Sequence, residues 1–168
     1  LFSLIVEVIS EHRLLNLFRS NQVSGVVLME ILLDDWRVKL LKEHGYPFVM
    51  IGHCEDNDGL SYVDFDFEAG VKLACEHLIR LGHRHIALIN LGGLTRPEGY
   101  GPAARNVLGY DQFCARHGLT PIVRTVSPNV EAAYQVTDAL IREHPDLTAM
   151  VTLLTSPLVG VFRALQDR

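Results

Sequence analysis

What this chain has little of narrows it first. Among its 168 residues are one tryptophan and three cysteines, Cys54, Cys75 and Cys114. An odd number of cysteines at wide spacing speaks against a disulfide framework and for a reducing compartment, so a cytoplasmic location is expected. Each thiol reads most simply as a small buried or half-buried side chain. Long apolar runs are missing too. The run at the start, LFSLIV, is broken by Glu7 and is too short to cross a bilayer, so no membrane association is expected. It carries no basic n-region and no small-residue cleavage site, so it reads as a buried strand rather than a signal peptide. The chain is therefore expected to begin inside a fold.

Positive charge is also scarce. The net charge is -5, and the lysines and arginines are spread along the chain. Phosphate contacts need a clustered basic face, so this segment alone is not expected to bind nucleic acid, although a partner domain could.

The signatures of nucleotide binding and catalysis are missing as well. The glycine pair of NLGGL (90–94) lies far from the next helix and does not form G-x-G-x-x-G. There is no phosphate-binding G-x-x-x-x-G-K-[ST] and no G-x-S-x-G elbow. Nothing assembles a nucleophile, a base and an oxyanion donor, so neither an enzyme nor a cofactor is expected. Of eight histidines, His83 and His85 flank Arg84, but no cysteine or carboxylate stands beside them at ligand spacing. At a helix end they serve the dipole and the turn more simply than a metal.

What the chain does have is a regular alternation of apolar strand and amphipathic helix. Strands are predicted at 2–8, 24–29, 47–52, 61–66, 86–91, 121–126 and 148–154. Helices are predicted at 11–22, 35–45, 67–81, 103–117 and 130–144, with a last one opened by Ser156-Pro157. Leu14, Leu15 and Phe18 share one face of the first helix; Trp36, Leu40 and Leu41 share a face of the second. Val71, Ala74, Cys75, Leu78 and Leu81 line the third. Gly45, Gly82 and Gly118 stand as helix stops, and Asn129 as a helix cap. The run SGVVLM has no alternation and predicts a strand buried on both sides.

Such alternation means α/β architecture with parallel sheets. The polar break near 60–66 divides it into a first lobe, 1–64, and a second, 65–168. The chain ends on a helix with no closing strand, so it is expected to stop before the second lobe does. In doubly wound sheets ligands bind beyond the carboxyl ends of the strands, where strand order reverses. The residues just after each apolar run are therefore the site candidates: Glu30, His53, the 92–102 loop with Tyr100, Ser127 and Thr155. Arg105 and Asn106, read as the start of the helix after that loop, form a polar pair suited to hydroxyls or an anion.

The segment VDFDFEAGVKLACEHLIRLGHRHIALI (63–89) resembles the lactose/galactose-repressor family of bacterial transcription regulators. The likeness extends to VSGVVLM (23–29), KEHGYPFVMIGH (42–53), RNVLGYDQFCARHGL (105–119) and PDLTAMV (145–151), nearly the whole chain. It implies two Rossmann-like lobes of the periplasmic-binding-protein-like type I fold, closing on a small effector that is often a sugar. It further implies a homodimer and a DNA-binding helix-turn-helix that this chain lacks. Asp66 belongs to the V-x-x-D opening and joins the ligand candidates. In the family an Arg-x-x-Gly-aromatic frame grips the effector; here the frame is Asn106-x-x-Gly109-Tyr110, with Arg105 one place early, so either residue can carry the role. Leu154-Thr155 stands where an Asn-Asp pair is common, and His53 where the family often has Arg or another polar residue. The alternative with the same architecture is a periplasmic solute-binding protein for sugar transport.

Overall fold

The computed structural model describes residues 10–92, 99–153, 155 and 158–168. The strand expected at 2–8 and the Ser156-Pro157 helix start lie outside the described residues, as does most of the loop after Gly92. The chain separates into two compact units that divide between Asp64 and Phe65. Each holds a three-stranded sheet in which every pairing is parallel, the α/β arrangement expected from the alternation.

The N-terminal unit runs α1 (Glu11–Arg19), β1 (Val26–Leu28), α2 (Trp36–Glu43), β2 (Phe48–Ile51) and β3 (Tyr62–Val63). Ser10 caps α1 and Asp35 caps α2, each accepting a backbone N–H of the first turn. Both helices close with a left-handed residue, Asn21 and Gly45, whose N–H returns to the last turn. Leu14, Leu15 and Phe18 of α1 and Val38, Leu40 and Leu41 of α2 pack with Leu28 and Met50 as one core. Trp36, expected on that face, is instead exposed, because the first residue after the cap lies outside the stripe that reaches the sheet.

The expectation that SGVVLM is a strand buried on both sides fails at β1. Val27 pairs with Val49 and Ile51 with Val63, which puts all four on one face. Val27 is 59% exposed and Val63 66%. Among the described residues both helices pack on the other face, and continuous apolar sequence alone does not say what covers a strand.

The C-terminal unit runs α3 (Phe67–Arg80), β4 (Ile86–Leu91), α4 (Gly101–His117), β5 (Val123–Val126), α5 (Val130–Glu143), β6 (Ala149–Thr152) and α6 (Leu158–Gln166). Its strand order is β5-β4-β6, so the order reverses at the central strand β4. Here both faces of the central strand are covered. Ile86 and Leu88 pack with Val71, Cys75, Tyr110, Phe113 and Cys114 of α3 and α4. Ala87 and Ile89 point the other way, to Ala133 and Leu140 of α5 and Val161 of α6.

At the α3 end, Gly82 takes φ +95, its N–H returns to the Ile79 carbonyl and the His83 N–H to that of Leu78. Arg84 adds a hydrogen bond to the Ile79 carbonyl, the role expected of a cation there. Leu81, predicted on the core face, is 63% exposed because the helix ends at Arg80 and the chain turns there. Asn129 caps α5 as expected, accepting the Ala132 N–H at 2.7 Å.

Candidate functional site

Parallel strands deliver their polar followers to one edge of a sheet, and the two units are taken in turn. In the N-terminal unit β1 leads to Glu30, a non-glycine residue with φ +55. Its carbonyl accepts from Arg37 Nη2 at 3.0 Å. Arg37 also forks onto Asp35, Nε to Oδ1 at 2.9 Å and Nη2 to Oδ2 at 2.6 Å. The buried Asp35 carboxylate accepts the Leu32 and Arg37 N–H groups as well. Burial pushes its pKa up, but the hydrogen bonds from Arg37 and Leu32 and the guanidinium charge outweigh it and hold the carboxyl below its usual value. This cluster is a clamp on the β1–α2 turn.

His53, two residues beyond β2, does not stand alone. Its Nδ1 lies 2.7 Å from Asp64 Oδ2, and its ring stacks on Tyr62 with centroids 5.0 Å apart. The pairing of Ile51 with Val63 carries the two chains forward side by side and brings 53 next to 64. Imidazole, carboxylate and phenol thus share one carboxyl edge. Sequence reasoning reached His53 and missed Tyr62 and Asp64, since only strand register reveals them as neighbours.

In the C-terminal unit Asp66 is the cap of α3, its Oδ1 accepting the Ala69 N–H at 2.9 Å. Tyr100 is the N-cap of α4 without a side-chain capping bond. The helix begins at Gly101, two residues earlier than predicted, because Pro102 is tolerated in a first turn where its missing N–H costs nothing. Arg105 and Asn106 are therefore not a solvated helix start. They lie in the second turn, and both are buried. Asn106 Nδ2 donates to Asn90 Oδ1 at 3.2 Å, and Asn90 Nδ2 donates to the Ala103 carbonyl at 2.9 Å. Asn90 was not singled out from sequence, although a polar residue inside the apolar run IALINL was the available signal. Thr155 lies three residues past β6 and is exposed.

Gly109 and Tyr110 of the same helix are structural. A Cβ on Gly109 would sit 2.7 Å from the Glu68 carbonyl oxygen, so the glycine lets α3 and α4 touch. Tyr110 is fully buried against β4. Burial pushes the Cys75 thiol up to about 12 and the Cys114 thiol above its ordinary value. Both thiols are protonated and unreactive near neutrality. All three cysteines are buried. Among the described residues no group of three or more His, Cys, Asp or Glu is placed to hold a metal ion. His83 Nδ1 instead lies 2.9 Å from Thr148 Oγ1. No helix among the described residues is long and apolar enough to cross a membrane.

The family model described as periplasmic binding proteins and sugar binding domain of LacI family matches residues 8–168. The HTH-type transcriptional regulator RafR of Escherichia coli is 31% identical over 142 residues, which cover 84% of this chain and 41% of RafR. A regulatory protein of LacI family from Chloroflexus aggregans superposes with a TM-score of 0.73 at 28% identity, over 95% of this chain and 59% of that one. A complex of the transcriptional regulator CelR with cellobiose superposes with a TM-score of 0.76 at 26% identity, over 94% and 48%. The chain spans less than half the length of the curated relatives it matches.

Proposed function

Because this chain belongs to the family of periplasmic binding proteins and LacI-family sugar-binding domains, we propose that it senses a small effector, a sugar or related metabolite, for a DNA-binding transcription regulator. The observation that carries the reading is the family match, which runs through both sheet-bearing units. Curated relatives bear the names of transcriptional regulators and of an operon repressor, which favours sensing over solute delivery.

In this reading the groups that contact effector are carboxyl-edge residues: His53 with its Tyr62 and Asp64 neighbours, and Asn106, Arg105, Tyr100 and Thr155. Asp66 contributes by fixing the start of α3. A helix-turn-helix outside this sequence reads the operator, and the working unit is a cytoplasmic homodimer. The effector acts by binding one arrangement of the units more tightly than another, since a ligand shifts an equilibrium only through such a difference. For regulators that coupling is on the order of 1–3 kcal/mol. No catalytic step is involved.

Calorimetric titration of this chain with cellobiose, lactose and ribose tests the binding half. Operator affinity of the complete regulator with and without each sugar tests the coupling half. Binding with a matching shift in operator affinity supports sensing. If no small metabolite binds and operator affinity ignores all of them, the reading fails.

A further inference from the structure

Asn90 interrupts an otherwise apolar central strand and is 3% exposed. Its Nδ2 donates to the Ala103 carbonyl. A carbonyl oxygen can only accept, so this bond decides which end of the Asn90 amide is nitrogen. Asn90 Oδ1 is then the end that meets Asn106, and it can only accept from Asn106 Nδ2. The orientation passes on once more: Asn106 spends its nitrogen on Asn90 and must turn Oδ1 elsewhere. Asn106 is 5% exposed, and its Oδ1 is buried with no hydrogen-bond partner among the described residues. A desolvated acceptor without a donor costs a fold its hydration, and native proteins keep few of them.

The location gives that atom a use. On the β5 side β4 stays paired through Asn90 with Thr125 and Leu91 with Val126. On the β6 side pairing among the described residues ends at Ile89 with Thr152. Asn90 is thus the first residue at which β4 outruns β6, in the strand where the order reverses. That is where a doubly wound sheet opens for a ligand.

We propose that Asn90 is a positioning residue that orients Asn106 so that its bare carbonyl oxygen takes a hydrogen bond from a hydroxyl or N–H of a neutral ligand. The inference rests on the ligand-sensing reading above and deepens it, because it names the chemistry of one contact. An uncharged acceptor rewards a donor and repels an anionic oxygen. A free polyol is favoured over its phosphorylated form.

Three variants of this chain separate the outcomes: Asn90→Val, Asn106→Leu and the two together. Wild type and variants are titrated with cellobiose, lactose and ribose, and with glucose 6-phosphate and ribose 5-phosphate. The expected result is that a neutral probe binds most tightly and loses about tenfold or more in affinity in each single variant. The double variant removes both amides with similar volumes, so its Tm without ligand is expected to fall no more than about 3 °C below wild type, or to rise. A larger fall makes the pair an ordinary structural hydrogen bond and overturns the proposal. So does tighter binding of a phosphorylated probe, or neutral-probe affinity that changes less than about tenfold in either single variant. Binding that persists in the variants leaves the sensing function standing while ending this inference. If no probe binds at all, the sugar reading falls, and the Tm of the double variant alone decides the inference by the same limit.

Discussion

The Tyr110 hydroxyl donates to the Ile86 carbonyl at 2.6 Å, and the same oxygen accepts the Ile122 N–H at 3.2 Å. One side chain from α4 thereby satisfies the entry of β4 and the approach to β5, the two strands on one flank of the strand-order reversal. Burial raises the phenol pKa far beyond neutrality, so the hydroxyl stays a donor. Tyr110→Phe keeps the ring in its core and strands both backbone groups. A loss of about 1–3 kcal/mol is expected, measured by urea unfolding. An unchanged midpoint would mean that water replaces the hydroxyl at no cost.

Acid should loosen the N-terminal unit through Asp35. Its folded pKa lies below its ordinary value, so its contribution is fully present above the usual carboxylate range and is lost as pH falls through the folded pKa. Unfolding curves between about pH 5 and pH 2 should show that loss in wild type. Asp35→Asn should show a flatter profile and, at neutral pH, a lower starting stability, because Arg37 loses its carboxylate. Parallel profiles for the two proteins would remove Asp35 from the acid response.

Gly109→Ala tests whether the close approach of α3 and α4 is required. In an open helix the change favours alanine by about 1 kcal/mol. Here the new methyl would meet the Glu68 carbonyl oxygen at 2.7 Å and its Cα at 2.8 Å, both backbone atoms that cannot rotate away. The sign should reverse, with a net loss of about 1–3 kcal/mol by chemical denaturation. A gain in stability would show that the helices separate freely.

The sequence carried the sheet architecture because β4 is an unbroken apolar run whose two faces meet two different helix pairs. It misled at β1, where equally apolar residues are covered on only one face among the described residues. Hydrophobicity records tolerance of burial, not the presence of a cover. The helix ends were legible because Gly45 and Gly82 do the same local work in any protein. The site was less so. His53 could be found as the follower of a strand, but Asp64 and Tyr62 reach it through a register that no short pattern encodes. Pro102 was read as loop when it sits in the first turn of α4, which shifted Arg105 and Asn106 from surface to interior.

That shift changes what is expected of Arg105. A solvated helix-start arginine could be removed at almost no cost to folding. At 9% exposure its stem packs inside the unit, and truncation forfeits that packing along with the charge. Arg105→Ala should therefore lower Tm measurably, by a few degrees for about 1 kcal/mol in a domain of this size. Arg105→Met retains the stem and removes the guanidinium, so it should recover the part of the lost Tm that the stem's packing supplies. If the guanidinium also holds effector, Arg105→Met should still bind the tightest sugar of the panel more weakly than wild type, a loss that restored folding cannot repair. Wild-type affinity in Arg105→Met would assign Arg105 to packing and leave Asn106 to carry the frame's polar contact.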